Sequence, residues 1–81
     1  MNNEKELLEL EYNFICDFIK LRKDNDLSQK ELAKMSGVVR EKITKIENGL
    51  NSPQINSLIK ILRPLGYTLK IVPIKEDDNV F

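Results

Sequence analysis

Between Leu27 and Gly49 the chain carries start and stop signals for two short helices, and this stretch constrains the fold more than any other. Ser28 and Glu31 have the S-x-x-E spacing of a capping box, in which the Ser28 hydroxyl and the Glu31 carboxylate each satisfy a free backbone N–H. Behind it, Leu32 and Met35 are expected to point inward, and Ala33 is small enough to let another helix approach closely. Ser36-Gly37 ends the first helix, because glycine takes the left-handed conformation without a Cβ penalty. Val38, Ile43 and Ile46 supply apolar anchors beyond the turn, and Asn48-Gly49 stops the second helix. The two helices and their tight turn leave a polar face for something outside the chain.

Further helices are expected around this pair. Leu7, Leu8, Phe14, Ile15, Phe18 and Leu21 recur at three- and four-residue spacing, which predicts a helix over 4–23 with one apolar stripe. Its first turns should project beyond the core. Asp24-Asn25-Asp26 reads as the connecting turn, since Asn and Asp tolerate left-handed geometry. The two short helices fall at 28–35 and 39–47. Asn51-Ser52-Pro53 is a loop leading into a fourth helix over 54–63, which Pro64 should stop near Arg63 by disfavouring helical geometry just before it.

At Tyr67 the period changes. Tyr67, Leu69 and Ile71 alternate with Thr68 and Lys70, predicting a β-strand over 67–74 with one apolar face. Pro73 suits its edge or end, where no ladder donor is required. Nothing else in the chain reads as a strand, so its N–H and C=O groups need a second chain to pair with. A homodimer whose strands pair antiparallel across a two-fold axis supplies that partner.

The order and spacing of these residues resemble the helix-turn-helix of the Cro/CI (Xre) family of bacterial and phage repressors over residues 18–66. Leu21-Arg22 stands where the family has its Leu-Arg pair, and Leu27-Ser28-Gln29 matches its Leu-Ser/Thr-Gln. Glu31-Leu32-Ala33 matches Glu-Leu-Ala, Ile46-Glu47-Asn48-Gly49 matches Ile-Glu-x-Gly, and Pro53, Leu58, Ile61 and Leu65-Gly66 follow as its fourth helix would. The fold this implies is mainly α: a lambda-repressor-like bundle of four helices in a single domain over 1–75, with the C-terminal strand paired across a dimer. The tail after the fourth helix is similar to that of HigA- and HipB-type antitoxins. Residues 76–81 form an acidic tail, expected to be disordered.

The formal net charge of zero conceals a partition. Residues 1–17 hold Glu4, Glu6, Glu9, Glu11 and Asp17 against Lys5, and residues 76–81 hold Glu76, Asp77 and Asp78. The intervening 18–75 carry twelve Lys/Arg against five Asp/Glu, and such a basic excess is the footprint of phosphate contact. At 81 residues the chain is one domain, small enough that a second subunit would help bury its apolar surface. A single cysteine, Cys16, excludes an internal disulfide and reads as a small apolar residue on the first helix. With no histidine there is no zinc constellation and no nucleophile–base pair, so the sequence implies no cofactor, no metal and no enzyme. No apolar run approaches the roughly 20 residues of a membrane span, and no signal peptide is expected. The protein reads as cytoplasmic.

The resemblance also assigns roles. In that family the first residues of the second motif helix enter the major groove, which presents a distinct pattern for each base pair. Those positions here are Arg40 and Glu41, with Lys45 one turn beyond on the same face. Arg40 would donate to guanine O6 and N7, and Glu41 would accept from cytosine N4 or simply favour the positive end of the helix dipole. Val39 would pack on a thymine methyl or lie partly buried at the turn, and it replaces the Ser/Thr cap many relatives have. Gln29 and Asn48 match phosphate-binding positions; Lys30, Lys42 and Lys34 are nonspecific phosphate partners or solvated lysines. Arg22 and Glu47 match an ion pair clamping the first helix to the third.

The leading function is therefore a homodimeric, sequence-specific repressor of operator DNA, plausibly an antitoxin that binds a basic toxin and represses its own operon. The alternative is a protein-interaction module on the same scaffold, with the acidic first helix or the strand capturing a partner and DNA binding weak or lost.

Overall fold

Phe18, Leu32, Ile43 and Ile61, one from each helix, are the large side chains most completely sealed from solvent. Each buried side chain of this size contributes about 1.5–3 kcal/mol. The computed structural model describes residues 4–50 and 52–74; the acidic tail over 76–81 lies outside the described residues. The elements are α1 (Glu4–Asp24), α2 (Gln29–Ser36), α3 (Arg40–Glu47) and α4 (Ile55–Leu62), followed by a 3₁₀ turn over Arg63–Leu65. Val38, Ile46, Leu62 and Leu65 complete the core, with Phe14, Leu21, Leu27, Ala33 and Leu58 packed against it. The α1 stripe enters this core only from Phe14 onward, so Leu7, Leu8 and Leu10 stay exposed on turns that project past the bundle.

The capping box forms as expected. Ser28 Oγ accepts from the Glu31 N–H at 3.0 Å, and Glu31 Oε1 accepts from the Ser28 N–H at 2.9 Å. Helix ends are fixed by left-handed residues. Asp26, at φ +57°, ends α1 with its N–H on Lys23 O at 2.9 Å and the Leu27 N–H on Arg22 O at 3.1 Å. Gly49, at φ +69°, ends α3 with the same two-bond pattern, Gly49 to Ile46 at 3.1 Å and Leu50 to Lys45 at 3.0 Å.

Two expectations are corrected. Met35 is 58% exposed rather than inward. At about 100° per residue the inward arc of α2 takes in Leu32, Ser36, Gln29 and Ala33, and Met35 falls outside it. The fourth helix ends at Leu62 with Arg63 as its C-cap, and a 3₁₀ turn then carries through Pro64 to bury Leu65 before Gly66 turns left-handed at φ +86°. A proline is tolerated in the first turn of a helical segment, where its missing N–H is not needed. No strand forms over 67–74. Beyond the Tyr67 N–H, which donates to Leu62 O at 3.0 Å, this stretch makes no backbone hydrogen bond to another described residue, and the described residues hold no second strand to build a ladder with.

The capping box makes a pH prediction. Hydrogen bonds to the Ser28 backbone N–H, and secondarily to its hydroxyl, hold the Glu31 carboxyl below its ordinary 4.5. A carboxylate depressed in the fold stabilises above its unfolded pKa, and that contribution is lost as pH falls from about 4.5 through the lower folded value. Glu31→Gln keeps a capping partner but cannot titrate. Its melting temperature should therefore approach that of the parent as pH is lowered through that window; a gap independent of pH would refute the linkage.

Candidate nucleic-acid interface

The position of α3 is set by a polar cluster buried beneath it. Arg22, near the end of α1, meets Glu47, at the end of α3, through two bonds: Nε to Oε2 at 2.7 Å and Nη2 to Oε1 at 3.0 Å. Both side chains are nearly sealed, 9% and 6% exposed. The remaining Arg22 donor, Nη1, reaches Leu27 O at 2.8 Å and so ties down the α1–α2 connection. Gln29, in the first turn of α2, donates from Nε2 to Glu47 Oε1 at 2.8 Å and accepts from Thr44 Oγ1 at 2.8 Å. One cluster thus joins α1, the connection, α2 and α3, and the described residues contain no buried side-chain polar atom without a partner. Low surrounding polarity makes such a network strong when every member is satisfied.

This cluster changes the reading of Gln29. The residue expected to face phosphate is half-buried, with its carbonyl oxygen taken by Thr44 and one amide hydrogen by Glu47; a single side-chain N–H remains uncommitted. Thr44 was not among the candidate residues. The one available signal was its place three residues before Glu47, which puts both on the side of α3 that faces α2.

The outer surface of α3 follows from what is buried. Ile43 and Ile46 point into the core, leaving Arg40, Glu41, Lys42 and Lys45 exposed. Glu41 and Lys45 do not form an ion pair, although their spacing permits one. Val39 precedes the helix as an N-cap with no side-chain hydrogen bond and is 61% exposed, so it is not packed into the turn. Asn48 sits at the C-cap with its backbone N–H on Thr44 O at 3.0 Å and its side chain in solvent. Lys42 borders the loop before α4, beside Ser52, Pro53 and Gln54. Lys30 and Lys34 lie exposed on α2. No helix among the described residues is long and apolar enough to cross a membrane.

Removing one charge from the cluster strands the other. Glu47→Gln should destabilise the protein by about 3–5 kcal/mol, because Arg22 is left buried without a counter-charge. Replacing both members with apolar residues, Arg22→Met with Glu47→Leu, should cost much less. Urea denaturation of the single and double variants checks this; a double variant as weak as the single one would contradict it.

Residues 18–72 match the model of the helix-turn-helix family. The chain is 43% identical over 75 residues to an uncharacterized HTH-type transcriptional regulator of Haemophilus influenzae, a match covering 90% of this chain and 76% of that protein. A second such regulator, from Methanocaldococcus jannaschii, is 37% identical over 55 residues, covering 68% of this chain and 83% of the other. Among solved structures, a chain described as a toxin–antitoxin module from Streptococcus pneumoniae is similar with a TM-score of 0.74 and 36% identity, covering 90% of this chain and 82% of that one. With the capping box, the Gly37 turn, the exposed α3 and the Arg22–Glu47 clamp all in place, the chain belongs to the helix-turn-helix family of the Cro/CI (Xre) type.

Proposed function

We propose that this protein is a homodimeric, sequence-specific DNA-binding repressor, acting as the antitoxin of a toxin–antitoxin pair and repressing its own operon. The observation that carries the reading is the exposed start of α3. Arg40, Glu41 and Lys45 stand clear of the protein on a helix whose orientation is held by a buried clamp, within a segment rich in Lys and Arg. In this role Arg40 reads a guanine edge, Lys45 and Val39 contact neighbouring positions, and Glu41 accepts from cytosine or serves only the helix dipole. Asn48, Lys30, Lys42 and the free amide hydrogen of Gln29 set register on phosphates. The likeness to a chain of a toxin–antitoxin module supports the antitoxin assignment.

A dimer is supported by the chain beyond α4. Tyr67, Ile71, Val72 and Ile74 are exposed apolar residues on a stretch whose backbone groups, the Tyr67 N–H aside, have no partner among the described residues, a combination that antiparallel pairing with a second copy would satisfy. The interaction-module reading draws on a different feature, the projecting and acidic α1.

Footprinting on the protein's own promoter should reveal two half-sites about 34 Å apart, with affinity falling steeply from low to moderate salt. Arg40→Ala should cost about 1–3 kcal/mol on that site and less on random DNA, at an unchanged melting temperature. Equal loss on both would make Arg40 a phosphate contact, and no footprint at low salt would favour the interaction module.

Dimerisation is tested separately at Ile71, which is 97% exposed and so dispensable to the monomer. Ile71→Asp should shift the sedimenting species from dimer to monomer without lowering far-UV helicity. A parent that sediments as a monomer at micromolar concentration, or a variant that remains dimeric, would rule out pairing through this segment.

A further inference from the structure

The apolar stripe of α1 does not end where the core ends. Leu10, Phe14 and Ile15 continue it as one wall of an open cleft of about 520 Å³, faced by Leu50 after α3, Leu58 on α4 and Leu69 beyond Gly66. Phe14 stacks on buried Phe18 with ring centroids 6.4 Å apart, so this wall is anchored to the core rather than loose. Contiguous apolar surface on a small domain marks a place of contact. The cleft lies at the junction of α1 with the α3–α4 connection, away from the exposed start of α3.

Charge selects the occupant. Glu11 lines the cleft, and Glu6, Glu9 and Asp17 share its helix; none of the four is ion-paired among the described residues. A second copy would bring a second acidic α1 toward the first, whereas a segment bearing Lys or Arg would be drawn in. We propose that this cleft docks a basic amphipathic helix of a partner protein, with apolar side chains seated between α1 and Leu50 and a cationic side chain over Glu11. The mode is helix-in-groove, in which residues spaced by one helical turn enter the apolar trough. The assignment rests on the reading of the protein as an antitoxin that captures a basic toxin, and it deepens that reading by naming the surface.

The test uses the full chain and a short synthetic lysine–leucine peptide with leucine on one helical face, and a glutamate–leucine peptide as control. The lysine peptide should bind, and Leu10→Ser and Glu11→Gln should each weaken it by about tenfold, a loss of about 1.4 kcal/mol. Both positions are exposed, so melting temperature should stay close to that of the parent. Lack of binding, equal binding of the glutamate peptide, or binding indifferent to Leu10→Ser would overturn the proposal. A dimer-to-monomer shift caused by Leu10→Ser would assign the cleft to a second copy instead. The footprint on promoter DNA is recorded with the same samples. If it persists while the peptide fails to bind, the docking surface alone is refuted; if both vanish, the repressor reading falls with it.

Discussion

The buried pair of Arg22 and Glu47 is the interaction on which the other arrangements depend. Taking two charges out of water is costly, and their attraction offsets that cost only when the geometry is good and the remaining donors and acceptors are satisfied. Here the fork of the guanidinium meets both carboxylate oxygens, its third nitrogen reaches Leu27 O, and Gln29 adds a second donor to Glu47 Oε1. The gain lies in restricting how α3 can sit. Rotation of α3 about its axis would break the bonds to Arg22 of α1 and to Gln29 of α2 together. An apolar contact between the same helices would tolerate sliding; this one does not, and the outward direction of Arg40, Glu41 and Lys45 follows from it.

Much of this was legible in the chain because the signals are local. The capping box spans Ser28 to Glu31, the left-handed stops are single residues, and the periodic apolar positions of α1 and α3 identify Phe18, Ile43 and Ile46 as core. Asp26 could be placed in a left-handed turn because Asp tolerates that geometry at modest cost. The failures share a different cause. Met35 was misplaced because, in a helix of eight residues, the position of the buried arc depends on what packs against it. The alternation of Tyr67, Leu69 and Ile71 records a preference for one-sided burial, yet a strand also needs a neighbour, which a single chain does not contain.

The candidate interface divides along the same line. Which residues of α3 face outward could be derived from Ile43 and Ile46 alone. How Gln29 is employed could not, because its partners Thr44 and Glu47 lie 15 and 18 residues away and come together only when α2 packs on α3. The family correspondence pointed to a phosphate ligand; the fold adds that the same side chain braces the two motif helices.

The clamp also bears on the order in which the molecule assembles. Chains dominated by helices and short-range contacts fold in microseconds to milliseconds, since little loop entropy must be surrendered before packing begins. Here α2 lies on α3 and α4 runs straight into its 3₁₀ turn, whereas α1 packs on α3 and α4 on α2, contacts that join elements not adjacent along the chain. Arg22 and Glu47, 25 residues apart, can close their two bonds only after α2 and α3 have brought the ends of α1 and α3 together. Their desolvation therefore falls late on the route to the native state and early on the way out. The pair acts as a latch on the rate of opening more than as a nucleus for folding.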